Sequence, residues 1–264
     1  MKKKQKEILD KIISDRTSGS SEILTKLNKF LLSNIKEKGL IIESLSAVSI
    51  KLSHFAVIIN YIDELNILLA SDSNERFTEY LRNNEEEGKL IIKEVFTKIY
   101  KKLPSAKIIL TISKSGTLVN VFKFWHKKKT NLKIIITESR PGNEGKLMAK
   151  ELLRNGLQVE MISDSMAGMF VPKTDAVIVG ADALLNNGNV INKTGSLTLA
   201  LLCKHYKKPF YVLAAKSKFV NKKRHGINEE GSDSIWKYVH PNLTTTNIPF
   251  KEIDRRFITE IISE

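Results

Sequence analysis

Cysteine is almost absent from this 264-residue chain, which contains only Cys203. A single cysteine excludes an internal disulfide and a metal cluster held by cysteine thiolates. The five histidines show no metal-ligand spacing, so we expect neither a metal site nor another cofactor. The N-terminus lacks an apolar stretch long enough for a signal peptide or a membrane span, which predicts a cytoplasmic protein with no membrane partner.

Proline and glycine are scarce in the first part of the chain. No proline precedes Pro104, and the only glycines before it are Gly19, Gly39 and Gly88. Apolar residues recur there at helical spacing, for example at Ile23, Leu27, Phe30 and Leu31. Helical spacing with so few helix breakers predicts that residues 1–103 form an N-terminal helical domain.

After Pro104, short β-rich runs alternate with helical stretches. The predicted strands are 107–111, 133–137, 159–162, 176–179 and 210–213, and the predicted helices are 117–128, 145–155 and 196–205. Apolar runs such as Ile134-Ile135-Ile136 suit strands that are covered on both faces. The alternation predicts a parallel, doubly wound sheet. We therefore assign the chain to the α/β class, with residues 104–264 as a Rossmann-like domain after the helical one.

Acidic residues are too few to balance the basic ones, and the formal net charge is +14. Residues 1–103 carry a net charge of +3, whereas residues 104–264 carry +11. A positive field favours phosphorylated metabolites, nucleotides, nucleic acid or acidic protein surfaces as partners. Lysine runs such as Lys127-Lys128-Lys129 would suit nucleic acid, but they usually form a solvated surface, and the chain has no RNA-binding signature. We therefore expect no nucleic-acid partner.

Ligands of open α/β sheets bind beyond the carboxyl ends of the strands, so the residues after each strand are the candidates for a site. After the first strand, Ser113, Lys114, Ser115 and Gly116 open a helix. The free N–H groups at such a helix start could cradle a phosphate. The alternative is that a serine there caps the helix and does nothing more.

Charged residues follow the later strands as well. Arg140 could fork onto a phosphate or carboxylate, or it could pair with Glu138. Asp164 could cap a helix or hydrogen-bond a sugar hydroxyl. Asp182 either projects over the crevice or pairs with Lys193, a lysine that is itself well placed for an anion. Together these positions predict a pocket for a phosphorylated sugar or a nucleotide.

Four longer motifs resemble the initiation factor 2B α/β/δ regulatory-subunit family, which includes methylthioribose-1-phosphate and ribose-1,5-bisphosphate isomerases. The motifs are TESRPGNEGKLMAKEL from Thr137, ISDSMAG from Ile162, TDAVIVGADALLNNGNVINKTGSLTLAL from Thr174 and KKPFYVLAAKSKF from Lys207. The resemblance implies a phosphorylated ligand in a crevice between the two domains. It also implies a homodimer or higher oligomer assembled through the C-terminal half, and it admits a translation factor as a partner.

The resemblance also implies roles for single residues. In the isomerases an aspartate and a cysteine form an acid/base pair; Asp182 matches the aspartate, whereas Ser113 stands at the cysteine position. A serine hydroxyl is a far poorer acid/base than a thiol. Arg140, Asn192 and Lys193 match ligand-holding positions of the family. The family's early Arg-Gly-Ala segment, which helps to hold phosphate in the isomerases, is replaced here by Arg16-Thr17-Ser18-Gly19, in which Arg16 could still serve. We therefore interpret the chain as a regulatory, non-catalytic binder of a phosphorylated sugar or nucleotide. The alternative is a divergent aldose-1-phosphate isomerase that uses Asp182 and Ser113.

Overall fold

A computed structural model describes residues 3–15, 18–53, 55–71, 74–220 and 235–264 of the chain. The first part is helical, and its helices are α1 Lys3–Ile13, α2 Ser20–Ser33, α3 Lys38–Lys51, α4 Ala56–Ala70 and α5 Asn74–Lys102. The helices α1 to α4 and the beginning of α5 share one apolar core, in which Leu27, Leu45 and Leu65 are buried. Apolar residues spaced three and four apart, as in α2, face this core.

The second part is built on a parallel sheet of six strands within the described residues. In chain order these strands are β1 Ile108–Thr111, β2 Lys133–Thr137, β3 Gln158–Ile162, β4 Ala176–Val179, β7 Phe210–Leu213 and β10 Glu260–Ile262. Their spatial order is β10-β7-β4-β1-β2-β3. The chain passes from β1 to β2 and β3 and then returns to place β4 on the other side of β1. A reversal of this kind leaves a crevice at the carboxyl ends of β1 and β4.

Helices cover both faces of this sheet, and they are α6 Gly116–Lys128, α7 Glu144–Arg154, α8 Ala167–Phe170 and α9 Ser196–Tyr206. On one face α6 and α7 pack around the buried Trp125. On the other face α9 buries Cys203. Val95 and Ile99 of α5 belong to the same core as Trp125, so the last helix of the first part also packs on the sheet. A division into domains at residue 103 stays a prediction.

A second sheet follows β4 along the chain. Its strands are β5 Ala183–Leu185, β6 Val190–Lys193, β8 Phe219–Val220 and β9 Phe250–Ile253, and their order is β8-β5-β6-β9. Ala56, the first residue of α4, is buried against Ala183, Leu185 and Ile191 of this sheet. The second sheet is therefore a place where the helical part of the chain contacts the part that follows it.

The predicted fold class is confirmed. The predicted helices and strands of the main sheet agree with the observed ones to within one residue at each end. The second sheet and β10 were not predicted, because their strands have only two to four residues and show no clear alternation. Within the described ranges, every helix is too short or too polar to cross a membrane.

Candidate functional site

A cavity opens where the strand order of the main sheet reverses. The chain leaves β1 into Ser113–Gly116 and leaves β4 into Gly180–Asp182, and both segments line this cavity. A Cβ atom on Gly180 would lie 2.8 Å from the hydroxyl oxygen of Ser115. Because glycine has no Cβ, the two segments can approach each other this closely. The sheet topology therefore brings together residues that are about 70 positions apart in the sequence.

Two helix starts meet at the cavity. α6 begins after Ser115, whose hydroxyl accepts a hydrogen bond from the N–H of Leu118 at 3.4 Å. α2 begins after Gly19, where a Cβ atom would lie 3.5 Å from the carbonyl oxygen of Lys114. The first turn of a helix has N–H groups without intrahelical partners and carries the positive end of the dipole. A cavity bounded by both helix starts therefore suits an anion. Ser115 caps α6 and also lines the cavity.

The loop after β1 is held by the loop after β2. Ser113 has a positive φ of 62°, and its N–H donates to the hydroxyl oxygen of Ser139 at 2.8 Å. The carboxylate of Asp164 accepts hydrogen bonds from the N–H groups of Ser139, at 2.9 Å, and Arg140, at 2.7 Å. Asp164 thus fixes the loop that in turn supports Ser113. The structure gives Asp164 this supporting contact in place of a helix cap, and a hydrogen bond from Asp164 to a sugar hydroxyl stays a prediction.

Asp182 and the buried Lys218 both line the cavity. Burial raises the pKa of Asp182 above its ordinary value, and the charges of Lys218 and Lys193 offset part of that rise. Burial lowers the pKa of Lys218, against the influence of Asp182. Lys218 is only 5% exposed, and its ammonium donates a hydrogen bond to the carbonyl oxygen of Ala181. The cavity therefore contains a carboxyl group, that of Asp182, which tends to keep its proton. It also contains an ammonium group, that of Lys218, which is shielded from bulk water.

Lys193 pairs with Glu144 rather than with the aspartate considered for it. Its ammonium lies 2.6 Å from Oε1 of Glu144 at the start of α7, and both residues line the cavity. The neighbouring Asn192 is buried, and its side-chain amide donates to the hydroxyl oxygen of Ser196 at 3.0 Å. These contacts attach the end of β6 to the starts of α7 and α9.

The cavity brings together most of the site residues predicted from the sequence, namely Ser113, Lys114, Ser115, Gly116, Asp182, Asn192 and Lys193. Arg140 is exposed and is not among the lining residues. Arg16 lies outside the described residues. The roles assigned to these residues stay predictions.

Lys114, which was predicted to help bind a phosphate, forms ion pairs within the protein. Its ammonium lies 2.7 Å from Glu22 of α2 and 3.8 Å from Glu151 of α7. The charge of Lys114 is thus already compensated by two carboxylates, although the residue itself lines the cavity. Its ion pair with Glu22 joins the helical part of the chain to α6.

Sequence reasoning missed three charged lining residues, Asp15, Glu144 and Lys218. Two of them lie within motifs that matched the family, Glu144 in TESRPGNEGK and Lys218 in KSKF. Their charge and their place within these motifs could have identified them as candidate site residues. Among the residues that the structure describes, no group of three His, Cys, Asp or Glu side chains could hold a metal ion. The expectation of no cofactor stays a prediction.

The curated proteins that are similar to this chain include a translation initiation factor subunit-like protein and a sugar-phosphate isomerase. A translation initiation factor eIF-2B subunit 2-like protein of Pyrococcus horikoshii is 31% identical over 191 residues, which are 72% of this chain and 66% of that protein. The ribose 1,5-bisphosphate isomerase of Archaeoglobus fulgidus is 36% identical over 170 residues, which are 62% of this chain and 54% of that protein. The aligned region therefore spans between about half and two thirds of these relatives' own lengths.

Comparison with solved structures confirms the fold, and comparison of the sequence with protein families identifies the family. The crystal structure of the Pyrococcus horikoshii OT3 translation initiation factor eIF-2B covers 100% of this chain and 96% of its own, with a TM-score of 0.84 and 24% identity. The tetrameric eIF2B-beta2-delta2 complex from C. thermophilum covers 98% of this chain and 88% of its own, with a TM-score of 0.65 and 14% identity. The sequence matches the Initiation factor 2 subunit family over residues 6–264, and the chain belongs to that family.

Proposed function

We propose that the chain binds a phosphorylated sugar or a nucleotide in this cavity and acts as a regulatory, non-catalytic member of its family. The observation that supports a phosphorylated ligand is the meeting of two helix starts, those of α2 and α6, in a cavity that also contains Lys193 and Lys218. Phosphate oxygens accept hydrogen bonds from free N–H groups and pair with ammonium groups.

Ser113 supports the non-catalytic part of the proposal. It lines the cavity together with Asp182. The family resemblance gives it the position at which the isomerases have cysteine. A thiol has a pKa of about 8.5, whereas a hydroxyl gives up its proton far less readily. Without an acid/base of suitable pKa, the proton transfers of an aldose–ketose conversion are not assisted. Ligand binding does not depend on this group.

An isomerase is the second candidate, and Asp182 is the observation that favours it. Its pKa is raised by burial, so that it can hold a proton inside the cavity and deliver it to a ligand. In this alternative Asp182 would protonate the ring oxygen of an aldose 1-phosphate, and Ser113 or another group would handle the proton at C2.

Phosphorus NMR separates the two candidates. Ribose 1,5-bisphosphate and, separately, methylthioribose 1-phosphate are incubated with the purified protein. We expect broadening of the phosphorus signals without conversion. Conversion to the ketose that is lost in Asp182→Asn would overturn the non-catalytic proposal and establish the isomerase. Signals that neither broaden nor change would reject both phosphorylated ligands.

Two lysine variants test whether a phosphorylated ligand binds in the cavity or is attracted by the positive charge of the whole chain. Lys218→Met removes a cation that lines the cavity, whereas Lys128→Met removes an exposed cation at the end of α6. We expect weaker broadening with Lys218→Met and no change with Lys128→Met. Equal effects of the two variants would indicate non-specific attraction to a chain with a net charge of +14.

The regulatory role would act through assembly. A homodimer or higher oligomer formed through the C-terminal half, a translation factor as partner and a cytoplasmic location stay predictions that accompany this proposal. Sedimentation of the purified chain with and without ribose 1,5-bisphosphate tests the first of them. A monomer under both conditions would contradict it.

A further inference from the structure

We propose that Asn60 of α4 is a positioning residue for the cavity: its side-chain amide holds the backbone on both sides of Lys218 and so directs the Lys218 ammonium toward the carbonyl oxygen of Ala181, the residue before Asp182. Asn60 is not itself among the lining residues. Its effect on ligand binding rests on the function proposed above, whereas its effect on Lys218 does not.

The contacts of Asn60 bracket Lys218. The side-chain nitrogen of Asn60 donates to the carbonyl oxygen of Ser217 at 2.6 Å and to the carbonyl oxygen of Phe219 at 2.8 Å. One NH₂ group has two hydrogens, so a single amide can make both bonds. Lys218 lies between these two residues, and its side chain runs inward to the carbonyl oxygen of Ala181. The backbone that carries Lys218 is thus held from outside while its ammonium is held inside.

The position of Asn60 follows from the packing of α4. Ala56 is 1% exposed and lies one turn before Asn60, on the same helix face. Its contacts with Ala183 and Leu185 place this face of α4 against the second sheet, to which Phe219 belongs. Phe55, just before α4, lines the cavity. The helical part of the chain therefore supplies both a wall of the cavity and the group that fixes Lys218.

Loss of the Asn60 amide would release the segment around Lys218. The carbonyl groups of Ser217 and Phe219 would then turn to water, and the segment could move outward. A buried ammonium gains hydration when it reaches solvent, so a loosened Lys218 would spend less time inside. Asp182 would lose much of the influence of Lys218, which lowers its pKa more than Lys193 does. Glu144 is the other charged group that acts on Asp182, and it raises the pKa.

The first test needs no ligand. Carboxyl carbon NMR follows the titration of Asp182 in wild type, Asn60→Ala and Asn60→Leu, with Asp182→Asn to identify the signal. Leucine is close to asparagine in size and lacks the N–H donors, so it serves if the alanine variant does not fold. We expect both variants to raise the pKa of Asp182 in the same direction as Lys218→Met does. A midpoint equal to the wild-type midpoint would overturn the proposal.

Asn66→Ala is the matched control. Asn66 lies on the same helix and is exposed. We expect its Asp182 titration to match that of the wild type. A shift in Asn66→Ala equal to that in Asn60→Ala would mean that any change in α4 moves the titration, and it would overturn a specific role for Asn60.

Calorimetry with ribose 1,5-bisphosphate measures the consequence for binding. We expect Asn60→Ala to bind about three- to tenfold more weakly, because a loosened Lys218 would contact the phosphate for only part of the time. In a chain that already carries Lys218→Met, Asn60→Ala should cause no further loss, because it acts through Lys218. Additive losses would contradict that route. If the wild type itself does not bind the bisphosphate, the proposed ligand is rejected, and the titration of Asp182 alone decides the role of Asn60.

Discussion

The ammonium of Lys193 lies 2.6 Å from Oε1 of Glu144, and this ion pair connects the end of β6 to the start of α7 across the cavity. The other carboxylate oxygen of Glu144, Oε2, has no hydrogen-bond partner among the described residues. A cation that lines the cavity is therefore already paired with a carboxylate.

Glu144→Gln is expected to strengthen the binding of ribose 1,5-bisphosphate. The substitution keeps the size of the side chain and removes the negative charge that competes for Lys193 and repels a phosphate. We expect a gain of about three- to tenfold, equivalent to roughly 1 kcal/mol, measured by calorimetry. Lys193→Met should lower the affinity. Weaker binding by Glu144→Gln would instead show that Oε2 accepts a hydrogen bond from a ligand hydroxyl.

Gly145 and Gly88 make a matched pair for stability. A Cβ atom on Gly145 would lie 1.9 Å from the backbone carbonyl oxygen of Thr137, whereas a Cβ atom on Gly88 meets nothing within 4 Å. Gly145→Ala should therefore lower the free energy of unfolding by more than about 2 kcal/mol, because the end of β2 cannot move aside cheaply. Gly88→Ala in α5 should raise it by up to about 1 kcal/mol, because alanine favours a helix. Urea unfolding of both variants checks the prediction, and equal effects would refute it.

Much of the fold could be predicted from the sequence because the main strands are near-continuous apolar runs. The run Ile134-Ile135-Ile136 is fully or almost fully buried, as expected for a strand covered on both faces. The predicted site residues came together because parallel strands place their carboxyl ends at one edge. The sequence did not show which side chains pair there. Lys114 and Glu22 are 92 positions apart, and only the packing of α2 against the start of α6 brings them to 2.7 Å.

Lys114→Met is expected to weaken the binding of ribose 1,5-bisphosphate less than Lys218→Met does. The ammonium of Lys114 is paired with Glu22 and lies near Glu151, so its charge is largely compensated. Calorimetry on the two variants side by side, with Lys128→Met as the exposed control, gives the ranking. Loss of this partly exposed pair should change the free energy of unfolding by less than about 1 kcal/mol. If Lys114→Met binds as weakly as Lys218→Met, the ammonium must leave Glu22 for the ligand.

The raised pKa of Asp182 predicts how stability depends on pH. Above about pH 4 the unfolded chain has lost this proton, whereas the folded chain keeps it until the raised pKa is reached. In that window the folded state binds more protons, so rising pH lowers the free energy of unfolding. Asp182→Asn cannot titrate there. We therefore expect the stability of the wild type, relative to Asp182→Asn, to fall as the pH rises, by up to about 1.4 kcal/mol per pH unit, and to level off above the folded pKa.

Urea unfolding of both proteins at a series of pH values measures this difference, and Asp10→Asn reports the effect of removing an exposed carboxyl group. The titration of Lys218 changes the difference between wild type and Asp182→Asn in the same direction. Burial lowers the pKa of Lys218 and Asp182 raises it, so Asp182→Asn should lower the pKa of Lys218 further. A lysine whose pKa is lowered in the folded state adds to the free energy of unfolding as the pH rises. This addition is larger in Asp182→Asn, so the stability of the wild type again falls relative to that of the variant. A difference that grows in favour of the wild type with rising pH would mean that Lys218 and Lys193 outweigh burial and hold Asp182 ionised.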